Sequence, residues 1–302
     1  MMMIFILILI LLTIIIFITK KYVLVSKFDE NKTGEWRTYH YVDGPLHMIG
    51  QYEKGKMVGK WISYYSHGTE EEISTYEDNS RNGEYKKFNY EGTLIEIGNY
   101  QNNKKHGLWK RFFDSGSLNY TVSYINGVKS GKYEEFHNTG FVKRTGHYKS
   151  SEQIGVWKTF FDDGILESAR EYDPQNLRNV GNWEFYYFNG QKKENRKFIQ
   201  NGEYDSTEYY ENGKIKCCGR VVDGQHRKDS VGEWKYYHDN GTLARIGMFS
   251  SKDSLHDPIG EWKYFFRNGA LEAIGNHTRS WQKVGVWKYY NEDGTLTRTE
   301  NN

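Results

Sequence analysis

The chain has 302 residues, with 41 Lys and Arg against 39 Asp and Glu and an aromatic content of 17%. Near-balanced charge with no long run of one sign argues against a nucleic-acid surface, which needs a clustered basic excess. The only cysteines, the neighbours Cys217 and Cys218, cannot make a disulfide framework; with no ligand-type residue spaced to help them bind metal, they read as small apolar residues of a strand. Twenty-five Tyr, 16 Phe and 9 Trp against three Pro suit strands rather than helices.

Residues 1–18 read MMMIFILILILLTIIIFI, apolar except for Thr13. Taken to Thr19 as a helix, the segment reaches roughly 28 Å at about 1.5 Å per residue, close to a hydrocarbon core. It has no basic residues before it and no small-residue cleavage site after it, so residues 1–19 read as a single-pass transmembrane anchor, with a cleaved signal as the alternative. Lys20, Lys21 and Lys27 follow it, which favours a cytoplasmic main domain over a secreted or periplasmic one. Residues 20–33 form a linker and, through YVLVSKF at 22–28, a half-repeat cap.

From residue 34 to 302 the chain repeats itself. GEWKYYHDNGTLARIG at 232–247 returns as GEWKYFFRNGALEAIG at 260–275. The motif is Gly, any residue, then Trp or Tyr. It begins eleven times, at Gly34, Gly59, Gly83, Gly107, Gly131, Gly155, Gly181, Gly202, Gly232, Gly260 and Gly285. Its aromatic is Trp36, Trp61, Tyr85, Trp109, Tyr133, Trp157, Trp183, Tyr204, Trp234, Trp262 and Trp287, which leaves Trp281 as the one tryptophan outside the pattern. Three residues later in ten copies comes a Tyr or Phe: Tyr39, Tyr64, Phe88, Phe112, Phe136, Phe160, Tyr186, Tyr237, Phe265 and Tyr290; in the remaining copy it is Tyr209. A turn glycine closes each half: Gly44, Gly68, Gly92, Gly116, Gly140, Gly164, Gly190, Gly213, Gly241, Gly269 and Gly294.

Each unit predicts a β-hairpin. Asn-Gly and Asp-Gly pairs at 163–164, 189–190, 212–213, 268–269 and 293–294 are expected to supply the positive φ of a tight turn. An aliphatic residue follows (Leu94, Leu118, Val142, Leu166, Leu243, Leu271, Leu296), then a second strand ending in segments such as IGQY at 49–52 and IGNY at 97–100. Side chains three apart on a strand point to opposite faces unless a bulge intervenes. The Trp and the Tyr or Phe after it are therefore expected on different faces, one row packed and the other partly exposed. A lone hairpin cannot bury both rows, so the units must stack on one another. The predicted fold is all-β, an elongated single-layer antiparallel meander, roughly 100 Å long at about 4.8 Å per strand. The polar TRTENN at its end should blunt the last edge.

GQYEKGKMVGKW at 50–61, GNYQNNKKHGLW at 98–109 and SYINGVKSGKY at 123–133 resemble MORN repeats, and more closely the bacterial variant form. The resemblance runs from residue 34 to about 297 and implies a hairpin array for protein or membrane contact, without catalysis. Proteins similar to this variant are often labelled YwqK-like antitoxins, so the resemblance also implies a toxin-neutralising partner as an alternative.

No HExxH, phosphate loop, CxxC pair or nucleophile elbow occurs, and no catalytic, cofactor, metal or small-molecule site is indicated. Of ten histidines, His40, His67, His137 and His238 precede turns and read as substitutes for Tyr, Asn or Asp. The function expected is a membrane-tethered scaffold binding a protein partner through a sheet face and its loops. Candidate contact loops are 173–180, 223–230 and 250–258, where the repeat spacing lengthens. Direct lipid contact is the other alternative, suggested by Trp beside Lys in Trp109–Lys110, Trp157–Lys158, Trp234–Lys235, Trp262–Lys263 and Trp287–Lys288.

Overall fold

The computed structural model describes residues 31–41, 43–173, 179–200, 202–223, 228–250 and 257–302. The anchor at 1–19 and the half-repeat at 22–28 lie outside the described residues, as do the centres of the three candidate loops. Among the described residues, no helix is long and apolar enough to cross a membrane.

The described secondary structure is twenty-two strands and one short 3-10 turn, Arg279–Trp281. The chain divides into two units, the first ending at Gly140 and the second beginning at Phe141. The first holds β1 (Gly34–Tyr39), β2 (Leu46–Glu53), β3 (Lys56–Tyr64), β4 (Glu70–Glu77), β5 (Ser80–Phe88), β6 (Leu94–Gln101), β7 (Lys104–Phe112), β8 (Leu118–Ile125) and β9 (Val128–Phe136). The second holds β10 (Val142–Lys149), β11 (Glu152–Phe160), β12 (Leu166–Tyr172), β13 (Asn179–Tyr186), β14 (Lys192–Gln200), β15 (Glu203–Tyr209) and β16 (Ile215–Asp223). It continues through β17 (Lys228–Tyr237), β18 (Leu243–Phe249), β19 (Pro258–Phe265), β20 (Leu271–Thr278), β21 (Gln282–Tyr290) and β22 (Leu296–Asn301). Within each unit every strand pairs antiparallel with the next. Both units are thus all-β meanders of hairpins.

Two kinds of turn alternate. After the Trp-bearing strand, the chain makes a four-residue turn: Gly68 N–H donates to the Tyr65 carbonyl at 2.9 Å and Tyr65 N–H to the Thr69 carbonyl at 2.8 Å. Only the glycine is left-handed there, at φ +98 for Gly68 and +79 for Gly190, the geometry of a type I turn closed by a glycine bulge. This corrects the expectation of tight Asn-Gly turns: the Asn or Asp keeps ordinary backbone and acts through its side chain. Asn189 Oδ1 accepts from Gln191 N–H at 2.9 Å, and Asp163 Oδ1 from Ile165 N–H at 2.9 Å. Gly44 departs from the other turn glycines, because Asp43 takes the left-handed place at φ +58.

The two-residue turns sit at the opposite strand ends. Asp78–Asn79, Asn102–Asn103, Asn126–Gly127, Ser150–Ser151 and Lys54–Gly55 have positive φ at both positions, as a type I′ turn requires. The glycine that opens each Gly-x-Trp motif also has positive φ, from +64 to +115. In β7, three residues (107–109) face the single residue 98 of β6, because Asn99 pairs with His106 and Ile97 with Lys110. This bulge lets the indole fold back over the preceding strand.

It folds onto a glycine. A Cβ at Gly50, Gly98, Gly146, Gly219, Gly247 or Gly275 meets the ring of Trp61, Trp109, Trp157, Trp234, Trp262 or Trp287 closer than any real Cβ approaches. The indole N–H then donates to the carbonyl one residue further on: Trp109 to Asn99 at 3.1 Å, Trp157 to His147 at 3.2 Å, Trp234 to Arg220 at 3.1 Å. Between successive Trp rings stands the Tyr of the IGxY segments, edge-on. Trp36–Tyr52–Trp61–Tyr76 run at 6.2, 5.1 and 6.3 Å between centroids. In the second unit Trp234–Phe249–Trp262–His277–Trp287 run at 6.3, 5.3, 6.2 and 4.9 Å. Edge-to-face pairs add about 0.5–1.5 kcal/mol each beyond burial. That ladder is the core, and it is shared between repeats rather than contained in any one of them.

Candidate binding surface

Nine of the eleven motif aromatics are buried: Trp61, Tyr85, Trp109, Trp157, Trp183, Tyr204, Trp234, Trp262 and Trp287. Trp36 and Tyr133 are half-buried. Cationic side chains lie over the row: Lys105 Nζ is 3.8 Å from the Trp109 ring centroid, and the Arg144 guanidinium is 4.6 Å from that of Trp157. The ladder face is therefore closed. The Trp–Lys neighbours quoted as a lipid-contact signal do not form one. Trp109 is 1% exposed, and strand alternation puts its neighbour Lys110 on the other face.

That other face is open. Its first row pairs the Tyr or Phe of each motif with the post-turn aliphatic residue: Phe88 with Leu94, Phe112 with Leu118, Phe160 with Leu166, Tyr237 with Leu243, Phe265 with Leu271. These aromatics are half-buried, as the parity argument expects. The second row mixes isoleucines with cations. In the first unit it reads Arg37, Ile49, Ile62, Ile73, Lys86, Ile97, Lys110, Thr121, Glu134 across successive strands. From β17 to β21 of the second unit it reads Lys235, Ile246, Lys263, Ile274, Lys288, whereas from β10 to β16 it holds Thr145, Lys158, Ala169, Glu184, Asn195, Thr207 and Cys218. Ion pairs between residues two apart tie several of these cations: Glu35–Arg37 at 2.8 Å, Glu84–Lys86 at 2.8 Å, Glu233–Lys235 at 3.1 Å and Glu261–Lys263 at 3.3 Å. Exposed pairs of this kind stabilise by about 0–1 kcal/mol at most, so their main effect is to neutralise the face.

The turn histidines do what their substitution pattern suggests. Tyr65, Tyr187 and Tyr210 each donate a phenolic hydrogen to a carbonyl in the next repeat, at 3.0, 2.9 and 2.8 Å. His40 and His238 stand in the same place, their Nε2 atoms 2.8 and 2.9 Å from the Tyr64 and Phe265 carbonyls. His67 stands where others have Asn: its Nε2 is 2.8 Å from the Tyr90 carbonyl, as Asn212 Nδ2 is 2.8 Å from that of Asp239. These groups bind the repeats to one another.

The cysteines take opposite faces. Cys217 is in the second unit's core with Tyr204, Val221, Trp234, Phe249 and Trp262, and burial pushes its thiol up to about 12. Cys218 is half-buried on the open face. Among the described residues no group of three or more His, Cys, Asp or Glu could hold a metal ion.

Sequence reasoning missed the glycine under six of the motif Trp residues (Trp183 has Arg170 in that place) and the intervening Tyr rungs, although IGQY and IGNY contain both. It also missed the role of Trp281, 39% exposed, whose ring lies 4.9 Å from that of Trp262 and 5.3 Å from that of His277.

Comparison with known proteins agrees with the geometry. Residues 81–102, 105–126, 205–220, 230–250 and 283–301 match the family described as MORN repeat variant. No curated protein matches the chain. Among solved structures, a crystal structure of TcdB2–TccC3 is 12% identical, with 88% of this chain and 18% of that chain covered, at a TM-score of 0.22. A Photorhabdus luminescens Tc holotoxin pore structure is 11% identical over 88% of this chain and 17% of that one, also at 0.22. The chain thus spans less than a fifth of those it matches, and likeness at that level carries no argument. Four of the five matched segments contain a Gly-x-Trp or Gly-x-Tyr motif with its turns, and over the matched segments the chain carries MORN repeats of the variant type.

Proposed function

We propose that this chain is a non-catalytic scaffold that binds a protein partner through the open face of its hairpin sheet, and that residues 1–19 tether it to a membrane. One observation supports the binding reading above the rest. The repeats are held together by the closed ladder face and by the turn hydrogen bonds, yet the opposite face of each unit keeps Phe/Tyr–Leu pairs half exposed in several repeats. Pairs of that kind are what an interface uses as its apolar centre, with charged residues as its rim.

The test is capture from the native cell by the full chain, by a form lacking residues 1–21, and by a Phe88→Ser/Phe112→Ser double variant. Loss of specific partners with the double variant supports the face as the binding surface. Identical partners with all three forms removes both the face and the tether. The tether is read separately: the full chain should stay in the membrane fraction through an alkaline carbonate wash, and the shortened form should not. A growth inhibitor among the partners supports the antitoxin form of the same reading.

A further inference from the structure

The open face is not uniform, and its differences follow a rule. Where the residue after the motif glycine is acidic, the lysine two positions later is ion-paired and half-buried, as in Glu84–Lys86, Glu233–Lys235 and Glu261–Lys263. In three repeats that residue is aliphatic instead: Leu108, Val156 and Val286, exposed by 50, 51 and 50%. Their lysines, Lys110, Lys158 and Lys288, are exposed, and no ion pair holds any of them among the described residues. Each of these strands offers a free ammonium beside a bare aliphatic side chain.

At the first of them the sheet forms a groove of ≈ 360 Å³, lined by Leu94, Ile97, Leu108 and Phe112 as its apolar wall, with Lys110, Glu84, Asn99 and Gly98 completing it. Glu84 is held by Lys86 at 2.8 Å, so the uncompensated charge in the groove is the Lys110 ammonium. We infer that this groove takes an extended peptide segment alternating aliphatic and acidic side chains, its aliphatic group against Leu108 and its carboxylate on Lys110. The inference rests on the scaffold reading and names the chemistry of the partner segment.

Spacing supports it. Leu108 and Lys110 are two apart on one strand, so their side chains emerge about 6.8 Å apart on the same face. An extended peptide presents its own alternate side chains at that interval. The carboxylate gains a charge-assisted hydrogen bond to a donor that water alone now satisfies. The aliphatic group covers surface that no repeat contact covers. Charge separates this occupant from polyanions. Phosphate-rich surfaces call for clustered cations, whereas in the open-face row Lys110 stands between Ile97 and Thr121, and the next cation, Lys86, is paired with Glu84. A basic segment has no free carboxylate to meet.

The experiment measures fluorescence anisotropy of labelled octapeptides with the purified full chain. Three peptides are compared: alternating leucine–glutamate, leucine–lysine and serine–glutamate. The leucine–glutamate peptide should bind. Binding should weaken at least tenfold in the triple variant Lys110→Glu/Lys158→Glu/Lys288→Glu and in Leu108→Ser/Val156→Ser/Val286→Ser. The charge-reversed variant should gain affinity for the leucine–lysine peptide. All six positions are exposed, and circular dichroism confirms that each variant keeps its strands. The inference is overturned if leucine–glutamate does not bind, if serine–glutamate binds equally well, or if charge reversal changes nothing. It is equally overturned if phosphatidylserine vesicles, and not the peptide, show the lysine dependence. Cellular partners that are lost with Phe88→Ser/Phe112→Ser but kept with the triple lysine variant overturn this inference and leave the scaffold reading standing.

Discussion

At the scale of single residues, the repeat works by matched volumes across a strand pair. Trp61, Trp109, Trp157, Trp234, Trp262 and Trp287 each lie on a glycine. Where the motif aromatic is Tyr, the facing residue has a side chain: Ser74 pairs with Tyr85 and Val122 with Tyr133. Gly98→Ala should therefore lower stability by about 1–3 kcal/mol through overpacking, read as a fall in the denaturation midpoint. Adding Trp109→Tyr to a Gly98→Ser variant should restore part of what the serine alone removes, because the double variant recreates the Ser74–Tyr85 pair. An additive double variant contradicts the matching rule. His277 tests the ladder by pH. Its imidazole is buried between Trp262 and Trp287, with Nε2 2.9 Å from the Tyr264 hydroxyl and Nδ1 3.1 Å from the Trp281 carbonyl. Burial lowers its pKa below the usual histidine value, with Lys283 adding to the effect. The unfolded chain thus takes up this proton more readily, so its stabilising effect is present above the ordinary value of about 6.5 and is lost as pH falls below it. His277→Phe, which copies Phe249 one rung earlier, should flatten the midpoint of the second unit between pH 7 and 5. An unchanged slope assigns the acid sensitivity elsewhere.

At the scale of elements, the two turn types divide the work, and both edges of each meander are stitched between repeats. On one edge Asn189, Asn212 and Asn240 donate from Nδ2 to carbonyls of the following repeat at 3.2, 2.8 and 2.9 Å. On the other edge Asn79 and Asn103 accept at Oδ1 from Met57 and Arg81 of the preceding repeat at 2.8 and 2.7 Å. The type I′ turns carry the strain. Lys54 is left-handed at φ +49 without the freedom of glycine or the local bonding of asparagine. Lys54→Asn should raise stability by about 0.5–1 kcal/mol, whereas Gly127→Val, at φ +84, should lower it by about 1–3 kcal/mol. Thermal midpoints of the two variants moving in the same direction contradict the turn assignment. Much of this level was legible in the sequence. Repeat pitch gave the hairpins, and strand parity placed Trp109 and Phe112 on opposite faces. The turn type was not legible, because an Asn-Gly pair fits a type I′ turn and a type I turn with a glycine bulge equally well. Only the register on either side decides. The free lysines escaped notice for a related reason. Whether Lys110 is neutralised depends on Leu108 occupying the place that Glu84 fills in the preceding motif, a contrast visible only once both are known to share a face.

At the scale of the whole array, nearest-neighbour contacts should govern stability, as in other repeat proteins, and the matched volumes make that dependence specific. Removing one repeat, residues 83–106, joins Asn82 to Gly107 and keeps the strand order and turn sequence intact. It also brings Ser74 under Trp109 in place of Tyr85, a side chain where the indole needs a glycine. Removing two repeats, residues 59–106, joins Val58 to Gly107 and brings Gly50 under Trp109, the pairing that Gly98 provides in the intact chain. Simple loss of contact area makes the larger deletion the more harmful. Matched volumes invert the order: the two-repeat deletion should unfold at the higher denaturant midpoint of the pair and keep a near-ultraviolet dichroism closer to that of the full chain. A larger loss of stability for the two-repeat deletion would mean that burial alone, and not the fit of each ring to the strand beneath it, holds consecutive hairpins together.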